Sequence, residues 1–359
     1  MHQIPQSISD ILELARWAPS GDNTQPWRFE IIDERHLVIH AFDTRDHCIY
    51  DLDGHPSQIS LGVLLETLAI AASAHAMRAE FRHNRESPDT RPEYFLELIP
   101  DSLMQPDSLL PHVQHRSVQR RPMRTIPLTE PQKQALQHAI GMSYTVRWFE
   151  GGIQRWHLAK LMFDNAKLRL TLPEAYDVHR RIIAWNTRFS ENKVPDQALG
   201  LDPMTLKLMR WVMTSWGRVD FFNTYLAGHL VPRIEMDLLP GLFCAAHFAI
   251  LAKKPPETLD DYVAAGRAVQ RFWLTATGLG LQLQPELTPL IFTRYVREGR
   301  TFSRLPGVMD IATRLGNRLS GLLQNDPVEQ VVFLGRIGSG DAATSRSLRL
   351  PVERLISAE

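Results

Sequence analysis

The chain has little cysteine. Cys48 and Cys244 are the two among 359 residues. They make no disulfide framework and suit a reducing compartment, so a cytoplasmic protein is expected. Neither sign of charge is in excess, because 40 basic residues cancel 40 acidic ones. With no strongly charged face implied, neither nucleic acid nor an acidic membrane is an expected partner. No apolar run is long enough to span a bilayer. Met1-His2-Gln3-Ile4-Pro5-Gln6 lacks the basic start and apolar core of a signal peptide. Several catalytic signatures are also missing. There is no His-Glu-x-x-His, no Gly-x-Ser-x-Gly and no Gly-x-x-x-x-Gly-Lys-Ser. No Gly-x-Gly-x-x-Gly follows a strand pattern, which argues against a tightly held dinucleotide. His36 and His40 share a probable strand face but have no Cys or carboxylate partner, so no metal site is expected.

What is present reads as a soluble globular chain, 44% hydrophobic and long enough for two or three domains. Ser7 to Trp17 has the spacing of a helix, with Ile8, Ile11, Leu12 and Ala15 on one face. Trp27 to Ile32 and Leu37 to Ala41 read as a strand pair. Asp43 to Gln58 is polar and irregular. Ser60 to Ala76 predicts a buried helix, and two strands follow at Arg78 to His83 and Tyr94 to Ile99. After a Pro-rich connector, Thr129 to Ile140 predicts a capped helix and Tyr144 to Phe149 a strand. Ile153 to about Arg233 is mostly helical. Leu242 to Leu251 has the length of a buried strand, with a buried helix as the alternative. Leu259 to Thr277 is a helix, Leu281 to Glu286 is extended and Glu329 to Arg336 is a strand.

The most informative stretch is Ala18-Pro19-Ser20-Gly21-Asp22-Asn23-Thr24-Gln25-Pro26-Trp27. Pro19 and Gly21 end the first helix. Ser20, Asp22, Asn23, Thr24 and Gln25 set five hydrogen-bonding side chains in a row. Pro26 holds Gln25 extended, and Trp27 anchors the exit. By composition alone this is also an ordinary turn. The string resembles the Pro-Ser-x-x-Asn-x-Gln-Pro-Trp segment that lines the flavin site of FMN-dependent nitroreductases. Pro19, Ser20, Asn23, Gln25, Pro26 and Trp27 match it. The resemblance implies FMN as cofactor, with NADPH or NADH as a transient donor. A ping-pong two-electron reduction of a small-molecule acceptor follows, with the hydride carried by the flavin and no catalytic side chain required.

An internal repeat supports a particular branch. Gly62-x-x-x-Glu66-x-Leu68-x-Ile70-x-Ala72 aligns without gaps on Gly266-x-x-x-Gln270-x-Phe272-x-Leu274-x-Ala276. Nitroreductases are intertwined homodimers with each flavin between two protomers. The repeat resembles the single-chain, double-repeat Acg-like branch, in which both protomers lie in one chain. The expected fold is α+β, an internal pseudo-dimer of tandem halves. Residues 1–110 would be the half with the loop. Residues 111–359 would be the half with the phosphate arginines, interrupted by a lid-like helical insertion at about 151–235. Whether such chains stay monomeric or pair further is open.

The second half has a basic cluster, His115 to Arg124, where guanidinium forks could hold a phosphate. On its own it reads first as a solvated basic turn. The family's Arg-x-Ser-x-Arg pattern places Arg116 and Arg120 on the phosphate, with Arg121 a further candidate. Val118 stands where the hydroxyl belongs, and Ser117 is one position early. If the segment is helical, Arg116 and Arg120 share a face. The resemblance adds Arg346 and Arg349 after the last strand, and Gln284 and Glu286 near the flavin ring. Pro19, Ser20, Asn23 and Gln25 complete the cofactor-binding set. One composite site per chain follows, since the first half has the loop and the second has the arginines. Met204, Met209, Met213, Trp211 and Trp216 give the insertion a soft apolar surface, fit for a lid or for packing on the core. A flavin-sequestering protein and a dedicated biosynthetic flavoenzyme are the rival readings.

Overall fold

Two antiparallel sheets share one strand plan. The computed structural model describes residues 5–357; Met1 to Ile4, part of the stretch weighed against a signal peptide, lie outside them. In the first sheet, β1 (Trp27–Ile31), β2 (His36–Ala41), β3 (Met77–His83) and β4 (Glu93–Pro100) stand in the order β1-β2-β4-β3. In the second, β5 (Tyr144–Phe149), β6 (Ala246–Ala252), β7 (Leu281–Pro285) and β8 (Val331–Ser339) stand in the order β5-β6-β8-β7. The helices of ten or more residues are α1 (Gln6–Ala15), α2 (His55–Ser73), α3 (Glu130–Ala139), α4 (Gly151–Thr171), α5 (Pro173–Ile182), α6 (Pro203–Val212), α7 (Trp216–Tyr225), α8 (Leu259–Gly278), α9 (Thr288–Arg297) and α10 (Val308–Leu323). They obey the same plan. α1 precedes β1 as α3 precedes β5, and α2 joins β2 to β3 as α8 joins β6 to β7. The chain is therefore α+β, as its pattern implied.

The two plans meet where α2 crosses α8. A Cβ on Gly62 would collide with the carbonyl of Val263 and the Cα of Gly266. A Cβ on Gly266 would collide with the carbonyl of Ile59 and the Cα of Gly62. Each carbonyl lies three residues before the opposing glycine, so the contact is reciprocal. Only hydrogen at both positions lets the backbones touch. Polar groups then lock the crossing: Glu66 accepts from Arg267 at 2.7 Å and from Arg271 at 2.8 Å, and Gln270 donates to Thr67 at 2.9 Å.

Burial explains the strand patterns. Trp27, Phe29, Leu37 and Ile39 point from the first sheet onto the helix pair, and the alternate residues face outward. The second sheet is covered twice. Phe248, Ile250 and Ile337 face the helix pair, while Phe149, Ala249, Leu251 and Leu334 face α4, α9 and α10. This is why Leu242 to Leu251 reads as one apolar run, and the run is a strand. Two findings differ from the sequence pattern. α2 begins at His55, inside the stretch expected to be irregular, because Asp51 gathers the backbone N–H groups of Thr44 at 2.8 Å and Ser57 at 3.1 Å. Helices α9 and α10 were not foreseen; α10 buries Val308, Ala312, Leu315, Leu319 and Leu323 along one stripe.

The segment between β5 and β6 takes the place of the short turn between β1 and β2 and divides into three parts. α4 and α5 belong to the core through Leu158, Leu161, Leu168, Ala175 and Val178. Residues 183–199 form short bridges. α6 has no buried residue and α7 has only Val219.

Candidate functional site

A cavity of about 650 Å³ lies against the helix pair, within the range of cofactor sites. Ile59 and Val63 of α2 and Val269 and Trp273 of α8 form its wall. Of the residues singled out in the sequence, Pro19, Ser20, Asn23, Arg116, Ser117, Arg120, Gln284, Arg346 and Arg349 line it. They come from loops scattered along the whole chain. Gln25, Arg121 and Glu286 are not on the wall.

The 20–25 loop is strained. Asp22, Asn23 and Gln25 have φ of +52°, +62° and +48°. Asp and Asn tolerate the left-handed region; Gln does so less readily, at a cost of about 1–2 kcal/mol. Neighbours impose the shape. Ser20 Oγ accepts from the Gln25 N–H at 2.8 Å. The Gln25 amide donates to the Asn23 carbonyl at 3.2 Å and to the Glu191 carbonyl at 2.9 Å, and accepts from the Leu350 N–H at 2.9 Å. Gln25 is fully buried with both amide atoms engaged by protein groups, and it does not line the cavity. It is a staple joining the loop, the insertion and the C-terminal strap. Asn23 Nδ2 donates to the carbonyls of Glu191 at 3.0 Å and Lys193 at 3.3 Å. That fixes the amide orientation and leaves Asn23 Oδ1 buried without a partner. Gln284 is similar: its Nε2 donates to the Pro285 carbonyl at 2.8 Å and its Oε1 is unpartnered.

The arginines separate into two groups. Arg116 is buried, lies 4.6 Å over the Trp273 ring, and has an unpartnered Nε. Burial, with the like charges of Arg349 and Arg346, pushes its pKa well below the ordinary value. Burial and then Arg346 and Arg16 push Arg349 down to about 9. Arg346 is lowered by burial, sits 4.9 Å over the Trp17 ring, and has an unpartnered Nε. No carboxylate offsets these shifts. Arg349 is held by the carbonyls of Ala18 at 3.0 Å and Leu348 at 2.7 Å, and Arg346 by that of Gln114 at 2.9 Å. The tail is thus a folded strap, and its Arg346–Ser347 stretch pairs with Phe189–Ser190.

Arg120 faces other partners. The 116–120 segment is not a helix; Val118 bridges Leu283, and the Gln119 N–H donates to the Leu283 carbonyl at 3.0 Å. Four residues of extended chain span roughly 13 Å, against about 6 Å between helical neighbours four apart. The helical pairing of Arg116 with Arg120 is therefore corrected. Burial lowers Arg120 to about 10, and Asp22 opposes the shift. Asp22 in turn is raised to about 6 by burial, with Arg120 and Arg169 opposing. Arg121 is exposed beside the fold.

Glu286 has another task. It lies beside β7, buried, with His247 Nδ1 at 2.7 Å and Arg336 Nη1 at 2.9 Å. His247 Nε2 donates to the Gly241 carbonyl at 2.9 Å, so both ring nitrogens act as donors. Burial alone would lower the His247 pKa; Glu286 outweighs it and raises the value to about 10. Glu286 neutralises buried cations and does not line the cavity. Its spacing from β7 gave no hint of this, since the partners lie 39 and 50 residues away.

Sequence reasoning missed Asp22, Tyr50, Arg169 and His179, which also line the cavity. Asp22 stood inside the loop motif at a position the motif leaves free. Met204, Met209 and Met213 reach the wall from α6 and its C-terminal end, together with Phe222 of α7. Trp211 does not line it and is half exposed.

Residues 1–72 match the family model described as "Putative TM nitroreductase". The match covers the strained loop and ends within α2, before any of the arginines. Similar solved structures include a nitroreductase-like family protein from Bacillus cereus, at 11% identity and a TM-score of 0.35, covering 70% of this chain and 96% of that one. Another is a nitroreductase with bound FMN from Bacteroides fragilis NCTC 9343, at 11% identity and a TM-score of 0.33, covering 66% of this chain and 89% of that one. No curated protein matches the chain.

Proposed function

We propose that the protein is an FMN-binding oxidoreductase that reduces a small acceptor with electrons from NADPH or NADH. One observation carries this reading. Three guanidinium groups, buried Arg116 and Arg349 and half-buried Arg346, converge on one cavity, and no carboxylate neutralises them. Such an arrangement is unfavourable unless an anion completes it. A phosphate dianion fits, since guanidinium forks are its preferred donors. The unpartnered oxygens of Asn23 and Gln284 fit the N–H and hydroxyl donors of a heteroatom-rich ring and its polyol chain. Bound there, FMN would supply hydride chemistry at its ring. The chain's part is to hold the phosphate, to fix the ring with the pre-strained loop, and to exclude water with the insertion.

The reading includes an internal pseudo-dimer. The shared strand plan and the reciprocal Gly62–Gly266 contact support two halves divided near residue 110. The loop and the strap supply complementary parts, so one flavin per chain is expected. The absorbance spectrum of the purified protein, calibrated against protein concentration, measures it. Two flavins per chain would defeat the composite site. Anaerobic titration with NADPH or NADH should then bleach the flavin. A loaded protein that neither donor bleaches would be a sequestering protein instead.

The insertion offers a sharper test of donor access. Replacing all of it would remove α4 from the core. Replacing only residues 203–225 with a short Gly/Ser linker removes the α6–α7 roof, which has almost no buried anchor. Flavin should be retained and donor-dependent reduction should be faster, as read by rapid mixing. Slower reduction in the loaded variant would mark the roof as a donor-binding surface.

A further inference from the structure

We propose that Tyr50 and His179 form a proton relay that protonates the acceptor as it receives hydride, an inference that rests on the flavin reading above. The Tyr50 hydroxyl and His179 Nε2 are 3.0 Å apart, and the two rings stack with centroids 5.9 Å apart at 27°. Tyr50 follows β2 and His179 lies on α5, yet both line the cavity. The same cavity wall carries the apolar side chains of Ile182, Ile183, Val194 and Met209. Phe292, with its centroid 6.1 Å away, holds the Tyr50 ring from behind. Neither the anion-binding arginines nor the loop contacts use this pair.

The charged groups facing it are Asp22 and Arg169, with Arg120 acting on Asp22. Burial, then Arg169, lowers His179 to about 3, so its imidazole is neutral. Burial raises Tyr50 well above its ordinary value, so its hydroxyl keeps its proton. A neutral imidazole has one N–H. With that proton on Nε2, His179 donates to the Tyr50 oxygen, and the phenolic O–H is free to donate into the cavity. His179 is only partly buried and lines the cavity, through which water can resupply its proton.

The step balances as follows. A bound, reduced flavin would supply the acceptor with two electrons and one hydrogen as hydride and would itself be oxidised. The charge left on the acceptor's polar atom takes the proton of Tyr50 as that O–H bond breaks. The phenolic oxygen takes the Nε2 proton of His179, and Nδ1 takes one from water. Exchange with water restores the tautomer. A positioned general acid contributes roughly 10²- to 10⁴-fold.

The test uses flavin-loaded protein reduced by NADPH and then mixed with 1,4-naphthoquinone. Tyr50→Phe keeps the ring and removes only the hydroxyl. Flavin reduction should be unchanged, while reoxidation by the quinone should slow about a hundredfold and lose its solvent deuterium isotope effect. His179→Gln should slow reoxidation less. A second readout needs no turnover. Without a donor, the oxidised protein should bind 4-nitrophenolate, and Tyr50→Phe should weaken that binding about tenfold. Unchanged reoxidation and unchanged binding in a loaded Tyr50→Phe protein would overturn the relay alone. So would an Asp22→Asn variant that slows reoxidation while Tyr50→Phe does not. A wild-type protein that binds no flavin would overturn the functional reading and the relay with it.

Discussion

Replacing Arg116 with methionine is expected to weaken FMN binding about tenfold to hundredfold, the usual worth of one charged hydrogen-bonded contact. Riboflavin binding should hardly change, because riboflavin has no phosphate. The same substitution should raise the melting temperature of the flavin-free protein by roughly a few degrees. The sign is the informative part. Arg116 is buried beside Arg346 and Arg349, and no carboxylate compensates it. In the empty site its charge destabilises the fold, and methionine keeps the apolar contact with Trp273 without that charge. Isothermal titration with both flavins and a thermal melt of the stripped protein check the two halves of the expectation. Equal losses for FMN and riboflavin, with a lower melting temperature, would make Arg116 a structural residue. Arg120→Met should affect both flavins alike, since Arg120 faces Asp22, Arg336 and Arg169 and not Arg116, Arg346 or Arg349.

Glu286→Gln should destabilise the protein by about 3–5 kcal/mol, because it leaves two buried cations without their counter-charge. His247 and Arg336 are both within hydrogen-bonding distance of Glu286, and all three are buried. The raised His247 pKa gives the effect a pH signature. A base with a folded pKa above its unfolded value stabilises the fold fully below the unfolded value, here 6.5. That contribution fades as the pH rises through about 10. Denaturant unfolding of the wild type should show the loss between those limits, and the variant should not. A Glu286→Gln protein of normal stability with altered flavin reactivity would return Glu286 to the cofactor's surroundings.

These two residues show which parts of the site could be read from sequence. Ser20 and Asn23 were legible because turn chemistry and motif coincide in ten consecutive residues. Arg116, Arg346 and Arg349 were legible as basic residues that the resemblance sets on one phosphate, but the route by which they converge was not. It depends on the strap folding back to Ala18, a contact spanning 331 residues. Glu286 and Gln25 fit the motif by position and have other tasks in space, because the groups that occupy them come from distant segments. Tyr50 and His179 gave no pattern at all, since their pairing spans 129 residues. The fold was easier. Periodicity marked the strands of both sheets, and the glycines at 62 and 266 marked the crossing. The first turn of α2 escaped, and so did α9 and α10, although the α10 stripe has plain helical spacing.

The strap has a consequence for how the molecule is made. Arg346, Arg349 and Leu350 follow β8, so during synthesis they emerge after every strand of both sheets. A nascent chain can assemble its sheets and cross its two glycine-bearing helices before the strap exists. Until then Gln25 lacks the Leu350 N–H that holds it, and the anion site has one of its three guanidinium groups. A chain stalled after β8 would lack Arg346 and Arg349 together with the core residues Leu350, Val352 and Leu355, so under the flavin reading cofactor capture would report a completed chain.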